Sequence, residues 1–173
     1  MRLAEQCAAI RLVLTDVDGV LTDGRLIFDN QGIESKAFHI RDGQGIRLWQ
    51  QAGGQFGIVT GRSSQIVKLR AAELDIDIIR QGVEEKLPAV RAICDELELD
   101  AAEVCFVGDD LPDLPVLQHV GLGIAVADAA EDVRQAADYT TSLAGGYGAI
   151  REVLELLLKN TDRWEQVLRR YQS

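Results

Sequence analysis

Two acidic clusters are marked out by residue type and spacing. Asp16 and Asp18 flank one valine in Asp16-Val17-Asp18-Gly19-Val20, and Asp109-Asp110-Leu111-Pro112-Asp113 follows Gly108. Carboxylates gathered so closely repel one another, and the cluster is tolerated when a hard divalent cation sits among them. Magnesium suits such a site, because it takes one or two carboxylates, keeps several waters and accepts substrate phosphate. Thr60 adds a hydroxyl that can donate to a phosphoryl oxygen, and Lys86 a cation that can neutralise it. Each has a plainer reading alone: Asp110 as a helix cap, Asp113 as a solvated charge or a partner of a metal-bound water, Thr60 as a turn residue, Lys86 as a surface charge. Their joint order points to phosphoryl chemistry.

The elements that must position these groups are legible as short apolar runs at 12–14, 56–59, 76–79, 104–107 and 122–126, read as strands buried on both faces. Stretches with helical spacing lie between them, such as Leu87, Val90, Ile93, Cys94 and Leu97, with Pro88 setting a helix start near Leu87. This alternation predicts an α/β fold with a parallel, doubly wound sheet, in which ligands bind at the carboxyl ends of the strands. The segments after four predicted strands are polar and should meet on one rim. Segment 25–38 breaks the alternation: Asp29-Asn30-Gln31-Gly32 separates two apolar arms, a β-hairpin that projects as a flap. Asp23, with Thr22 and Gly24, is read as shaping the turn into it. A glycine-rich tail and C-terminal helices occupy 144–173.

At 173 residues with 47% hydrophobic content, the chain suits one domain, 1–173. A net charge of −10 disfavours nucleic acid and anionic membrane surfaces as partners. Cys7, Cys94 and Cys105 are odd in number, widely spaced and set among apolar neighbours, which reads as buried thiols in a reducing, cytoplasmic setting. No apolar run approaches the roughly 18 residues of a membrane span.

Asp16-Val17-Asp18-Gly19-Val20, Thr60-Gly61-Arg62, Lys86 and Gly108-Asp109-Asp110 with Asp113 resemble, in order and spacing, the four motifs of haloacid dehalogenase superfamily phosphatases. DVDGVLTDG, KAFHIRDGQGIR, IVTGR, GDDLPDLPV, VGLGIAVADA and GGYGAIREV narrow this to the 3-deoxy-D-manno-octulosonate 8-phosphate phosphatases, over nearly the whole chain. The resemblance implies a capless, Rossmann-like fold and hydrolysis of a phosphorylated eight-carbon sugar acid used in the lipopolysaccharide inner core. Asp16 would be the nucleophile, Asp18 the general acid and base, and Thr60 and Lys86 the phosphate ligands. Magnesium would be held by Asp16, Asp109 and the backbone carbonyl of Asp18, with Asp110 and Asp113 behind them. Substrate-binding positions map onto Asp18, His39, Ile40, Arg41, Asp42, Gly43, Arg47, Arg62, Arg70 and Lys86.

A related group acts on nine-carbon sialic-acid-type phosphates and tends to carry glutamate where this chain has Arg62, which favours the eight-carbon substrate. Tyr147 departs from the arginine often found between the tail glycines. The stretches between Asp16, Thr60 and Lys86 leave no room for a cap, so another subunit should cover the site. Apolar residues on the flap suit that role, and the resemblance implies a homotetramer in which flap and tail reach neighbouring sites. Two other classes compete with this one. A phospho-aspartate receiver shares the aspartates, metal, hydroxyl and lysine, but lacks an aspartate two residues beyond its acceptor. An inactive oligomerising scaffold is disfavoured by four intact motifs.

Overall fold

The computed structural model describes residues 3–172, so positions 1, 2 and 173 of the expected domain lie outside the described residues. In chain order the elements are α1 (Leu3–Ala9), β1 (Leu12–Thr15), β2 (Ile27–Phe28), β3 (Glu34–Ser35), α2 (Ile40–Gln51), β4 (Gln55–Val59), α3 (Gln65–Glu73) and β5 (Ile78–Arg80). There follow α4 (Lys86–Leu97), β6 (Val104–Gly108), α5 (Leu114–Leu117), β7 (Leu122–Ala125), α6 (Glu131–Ala136), β8 (Tyr139–Thr140), α7 (Ala149–Lys159) and α8 (Arg163–Arg169).

Six strands form one parallel sheet in the order β5-β4-β1-β6-β7-β8. Every residue of β1, β6 and β7 is buried, which explains their unbroken apolar runs: a parallel strand covered on both faces has no polar side to alternate with. The chain first steps outward from β1 through β4 to β5, then returns to the other side of β1 for β6, β7 and β8. Right-handed crossovers then place α2 and α3 on one face and α4, α5 and α6 on the other. Packing of α2 and α1 against α7, and of α5 against α4 and α6, follows this division. The strand order reverses between β1 and β6, where an open α/β sheet splays its loops and leaves a crevice. Asp16 and Asp109 each immediately follow one of these two strands.

The expected strand at 76–79 begins two residues later, at Ile78. Ile76 instead finishes α3: Asp75 adopts a left-handed φ of 54°, and the Ile76 amide donates to Ala71 O at 2.9 Å. This is a Schellman-type end in which a buried apolar side chain follows the left-handed residue. Strand β8 has no apolar run to announce it, being only the two half-buried residues Tyr139 and Thr140.

The hairpin is present, with its turn held by Asp29. The Asp29 carboxylate accepts from Gln31 N at 2.8 Å and Ile33 N at 2.9 Å, and Gly32 supplies the positive φ the turn requires. Leu26, Ile27, Phe28 and Ile33 are all about half exposed. Phe38, expected to project with them, packs instead against the core, with the Arg70 guanidinium 5.8 Å from its ring centre. Cys7, Cys94 and Cys105 are buried free thiols. Among the described residues, no helix is long and apolar enough to cross a membrane.

Candidate active site

The loop after β1 is wound around one carbonyl: the amides of Val20, Leu21 and Thr22 all donate to Val17 O, at 3.2, 2.9 and 3.0 Å. Val17 and Val20 are fully buried, which fixes the loop to the sheet and leaves Asp16 and Asp18 at its polar edge. Gly19 has a φ of 93°, and a β-carbon there would collide with the Asp109 carboxylate. Glycine therefore allows the turn and the close approach of the two acidic segments.

The tail secures the same loop within the chain. Gly146 N donates to Val20 O at 2.9 Å, and a β-carbon on Gly145 would collide with Gly19 O. The glycines expected to reach a neighbouring site thus dock first on their own chain, against the loop after β1. Asp23 accepts from Arg25 N at 3.1 Å and Arg25 Nε at 2.7 Å, while the Thr22 hydroxyl binds Val17 O and the amides of Gly19 and Gly24. Both residues shape the turn into the flap.

Asp16, Asp18, Thr60, Arg62, Lys86, Asp109 and Asp110 line one open cleft of about 310 Å³ at the strand ends. Lys86, the first residue of α4, is buried and lies 2.5 Å from Asp16 Oδ2 and 2.5 Å from Asp113 Oδ1. Burial works to lower the Lys86 pKa, but Asp16 and Asp113 outweigh it and hold the ammonium above its ordinary value. The other Asp113 oxygen accepts from Asp109 N at 2.9 Å and Asp110 N at 3.3 Å. Asp113 is wholly buried, so it is neither a solvated charge nor a lining group. It braces Lys86 and the loop carrying Asp109 from below. Asp110 caps the short 3₁₀ turn at Leu111–Asp113, accepting from Leu111 N at 2.8 Å.

Ligand atoms of Asp16, Asp109 and Asp113 lie within 4.8 Å of one another. Asp109 Oδ1 is buried without a hydrogen-bond partner, an arrangement that is costly for an ionised oxygen. Burial first, then Asp113 and Asp16, push its pKa up to about 8. A hard cation against Asp16 and Asp109 would relieve both the orphaned oxygen and the repulsion, so the donor set fits a divalent metal.

Other expected substrate contacts do not line this cleft within one chain. His39 caps α2, its Nδ1 accepting from Arg41 N at 3.2 Å, and with Asp42, Gly43 and Arg70 it borders a separate small cavity. Asp42 is buried and accepts from Arg151 N at 2.8 Å, joining α2 to α7. Burial raises its pKa. Arg47 donates to Glu73 O, and it borders a shallow groove with Ile40 and Arg70. Arg41 faces another cleft beside Tyr147 and Arg151.

One residue at the site escaped the sequence reading. Lys36 pairs with Asp18 Oδ1 and lies 3.4 Å from Glu34 Oε1, its side chain only 1% exposed. The available signal was local: Glu34 and Lys36 stand two apart in an extended arm, so they share a face.

Residues 69–154 match the family described as haloacid dehalogenase-like hydrolase. The 3-deoxy-D-manno-octulosonate 8-phosphate phosphatase KdsC of Escherichia coli K12 is 47% identical over 149 residues, covering 86% of this chain and 79% of that protein. The crystal structure of the Yersinia pestis 3-deoxy-D-manno-octulosonate 8-phosphate phosphatase superposes with a TM-score of 0.93 at 42% identity, covering 94% and 88% of the two chains. That of the Moraxella catarrhalis enzyme, in complex with magnesium, phosphate and KDO, gives 0.96 at 39% identity, with 97% of each chain covered. Sequence, strand order and the convergent cleft agree, and the chain belongs to the 3-deoxy-D-manno-octulosonate 8-phosphate phosphatase family of capless haloacid dehalogenase-like phosphatases.

Proposed function

We propose that this phosphatase hydrolyses 3-deoxy-D-manno-octulosonate 8-phosphate with magnesium, through a phosphorylated Asp16. The observation that carries the reading is the placement of Asp16, Lys86 and Asp109 at one cleft, with Asp18 two residues from the nucleophile.

Magnesium held by Asp16, Asp109 and the Asp18 carbonyl would supply positive charge to the phosphoryl oxygens. Lys86 and the Thr60 hydroxyl neutralise and orient them from the protein side, so the Asp16 anion can approach a negatively charged ester. An Asp16 carboxylate oxygen forms the new bond to phosphorus as the bond to the sugar oxygen breaks. Asp18 gives that departing oxygen a proton. The resulting carboxylate then takes a proton from water, which attacks phosphorus, frees inorganic phosphate and restores Asp16. Asp113 acts through others, holding Lys86 and the amides of Asp109 and Asp110.

Arg62 supports the eight-carbon substrate: it lines the cleft and is positioned by Glu34 at 2.8 Å. Tyr147 supports a second reading, a nine-carbon sialic-acid-type 9-phosphate, since an exposed ring stands beside Arg41 where eight-carbon enzymes often carry arginine. Phosphate release from both substrates, with magnesium or with chelator, tests the assignment. Preference for the eight-carbon ester and loss with chelator are expected; release from the nine-carbon ester alone reassigns the substrate.

The reading includes a single domain acting in a homotetramer. Its support is the exposed apolar flap, together with His39, Ile40, Arg41, Arg47 and Arg70, which lie off their own chain's cleft and are available to a neighbour's. Three reduced, buried thiols suit a cytoplasmic location.

A further inference from the structure

We propose that Lys36 is a positioning residue for leaving-group protonation: from the root of the flap it fixes the orientation of the Asp18 carboxyl group. The inference rests on the reading of Asp18 as the general acid.

Four charges from three segments meet here. Lys36 touches Asp18 Oδ1 and lies 3.4 Å from Glu34 Oε1; Glu34 accepts from Arg62 Nη2 at 2.8 Å; Arg62 Nε lies 3.8 Å from Asp18 Oδ2. Both Asp18 oxygens thus face cations on elements other than their own loop. The two cations differ in kind. The Arg62 side chain is 45% exposed, lines the cleft and is placed to meet substrate. Lys36 is 1% exposed and does not line the cleft, so it reaches the chemistry only through Asp18.

A lysine buried to this degree needs acidic partners: Glu34 in β3 of the flap balances its charge, and Asp18 Oδ1 on the loop after β1 accepts from its ammonium, which leaves Oδ2 for the proton. The ammonium therefore ties the flap to the acid. The loop backbone is fixed by the amides gathered on Val17 O, which leaves side-chain rotation as the freedom that Lys36 removes. That rotation decides whether the Asp18 proton reaches the ester oxygen as the phosphorus–oxygen bond breaks. Displacement of a reacting group by about 1 Å lowers rate by about 10²-fold.

The test compares two leaving groups in Lys36→Met. The sugar alkoxide of 3-deoxy-D-manno-octulosonate 8-phosphate needs a proton to depart, whereas the phenolate of p-nitrophenyl phosphate leaves without one. On the sugar phosphate, kcat is expected to fall by about 10²-fold with KM within about threefold of wild type. On the aryl ester, kcat/KM is expected to fall by less than about fivefold. Equal losses on both substrates, or a change confined to KM, would overturn the inference. If Lys36→Met does not fold by circular dichroism, Lys36→Gln serves in its place, and failure of both to fold makes Lys36 purely structural. A wild-type enzyme inactive on the eight-carbon ester but active on N-acylneuraminate 9-phosphate overturns the substrate assignment alone. The Lys36 contrast is then read on that nine-carbon alkyl ester.

Discussion

Lys86 Nζ and Asp113 Oδ1 form a 2.5 Å ion pair under the floor of the cleft, with 3% and 1% of their side chains exposed. Removing one partner of a buried pair leaves a charge without compensation, at a cost of about 3–5 kcal/mol. Asp113→Ala is expected to lose stability near the lower end of that range, because Lys86 keeps Asp16, and to lose activity as Lys86 and the Asp109 loop come free. Urea unfolding and phosphate release check the two parts separately.

Gly146 has a φ of 74°, and a β-carbon there would lie 2.5 Å from the Thr22 carbonyl carbon and 2.5 Å from Asp23 N. Both contacts are backbone, so no side-chain rotation relieves them. Gly146→Ala should cost about 2 kcal/mol from strain and collision. The affected segment leads from the loop that carries Asp16 and Asp18 into the flap, so kcat should fall as well. Thermal unfolding and steady-state kinetics on the same preparation measure both.

Metal binding should depend on pH through Asp109, whose pKa rises from an ordinary 3.8 to about 8 without metal. A carboxyl whose pKa is raised on folding contributes stability below its unfolded pKa, and that contribution is lost as pH rises through the folded value. The metal-free protein should therefore weaken between about pH 4 and pH 8. Magnesium binds the carboxylate, so binding displaces a proton and affinity should rise about tenfold per pH unit up to about pH 8, then level off. Isothermal titration with magnesium between pH 6 and pH 9 measures the slope; affinity independent of pH would contradict it.

The flap presents Leu26, Ile27, Phe28 and Ile33 together, an apolar surface that the described residues leave about half exposed. Phe28→Lys should weaken the assembly while leaving the fold intact, because Phe28 is 54% exposed in the single chain. Sedimentation should show smaller species with lower turnover of the sugar phosphate. A fully active wild-type monomer at assay concentration would remove the assembled site from the account.

The sheet and its catalytic rim were legible because buried parallel strands write continuous apolar runs, and the runs at 12–14, 56–59 and 104–107 lead directly into motifs. Ile76 shows where that rule stops, since a helix end can bury the same residue types as a strand. Asp113 was placed behind the metal ligands by resemblance, but its contact with Lys86 was not legible, because sequence does not tell which side of a turn faces that lysine. Lys36 was hidden for a related reason: its long-range partner is Asp18, and only the folding back of the hairpin brings the two together. The substrate positions expected on α2 and α3 rest on resemblance alone, and one chain does not bring them to the cleft.

Phosphate release by Asp16→Asn tests the central claim most directly, measured on 3-deoxy-D-manno-octulosonate 8-phosphate with saturating magnesium. The amide keeps the shape of the side chain but removes the attacking anion beside Lys86. A covalent route through Asp16 predicts that turnover falls by at least about 10³-fold. Turnover equal to wild type would contradict it.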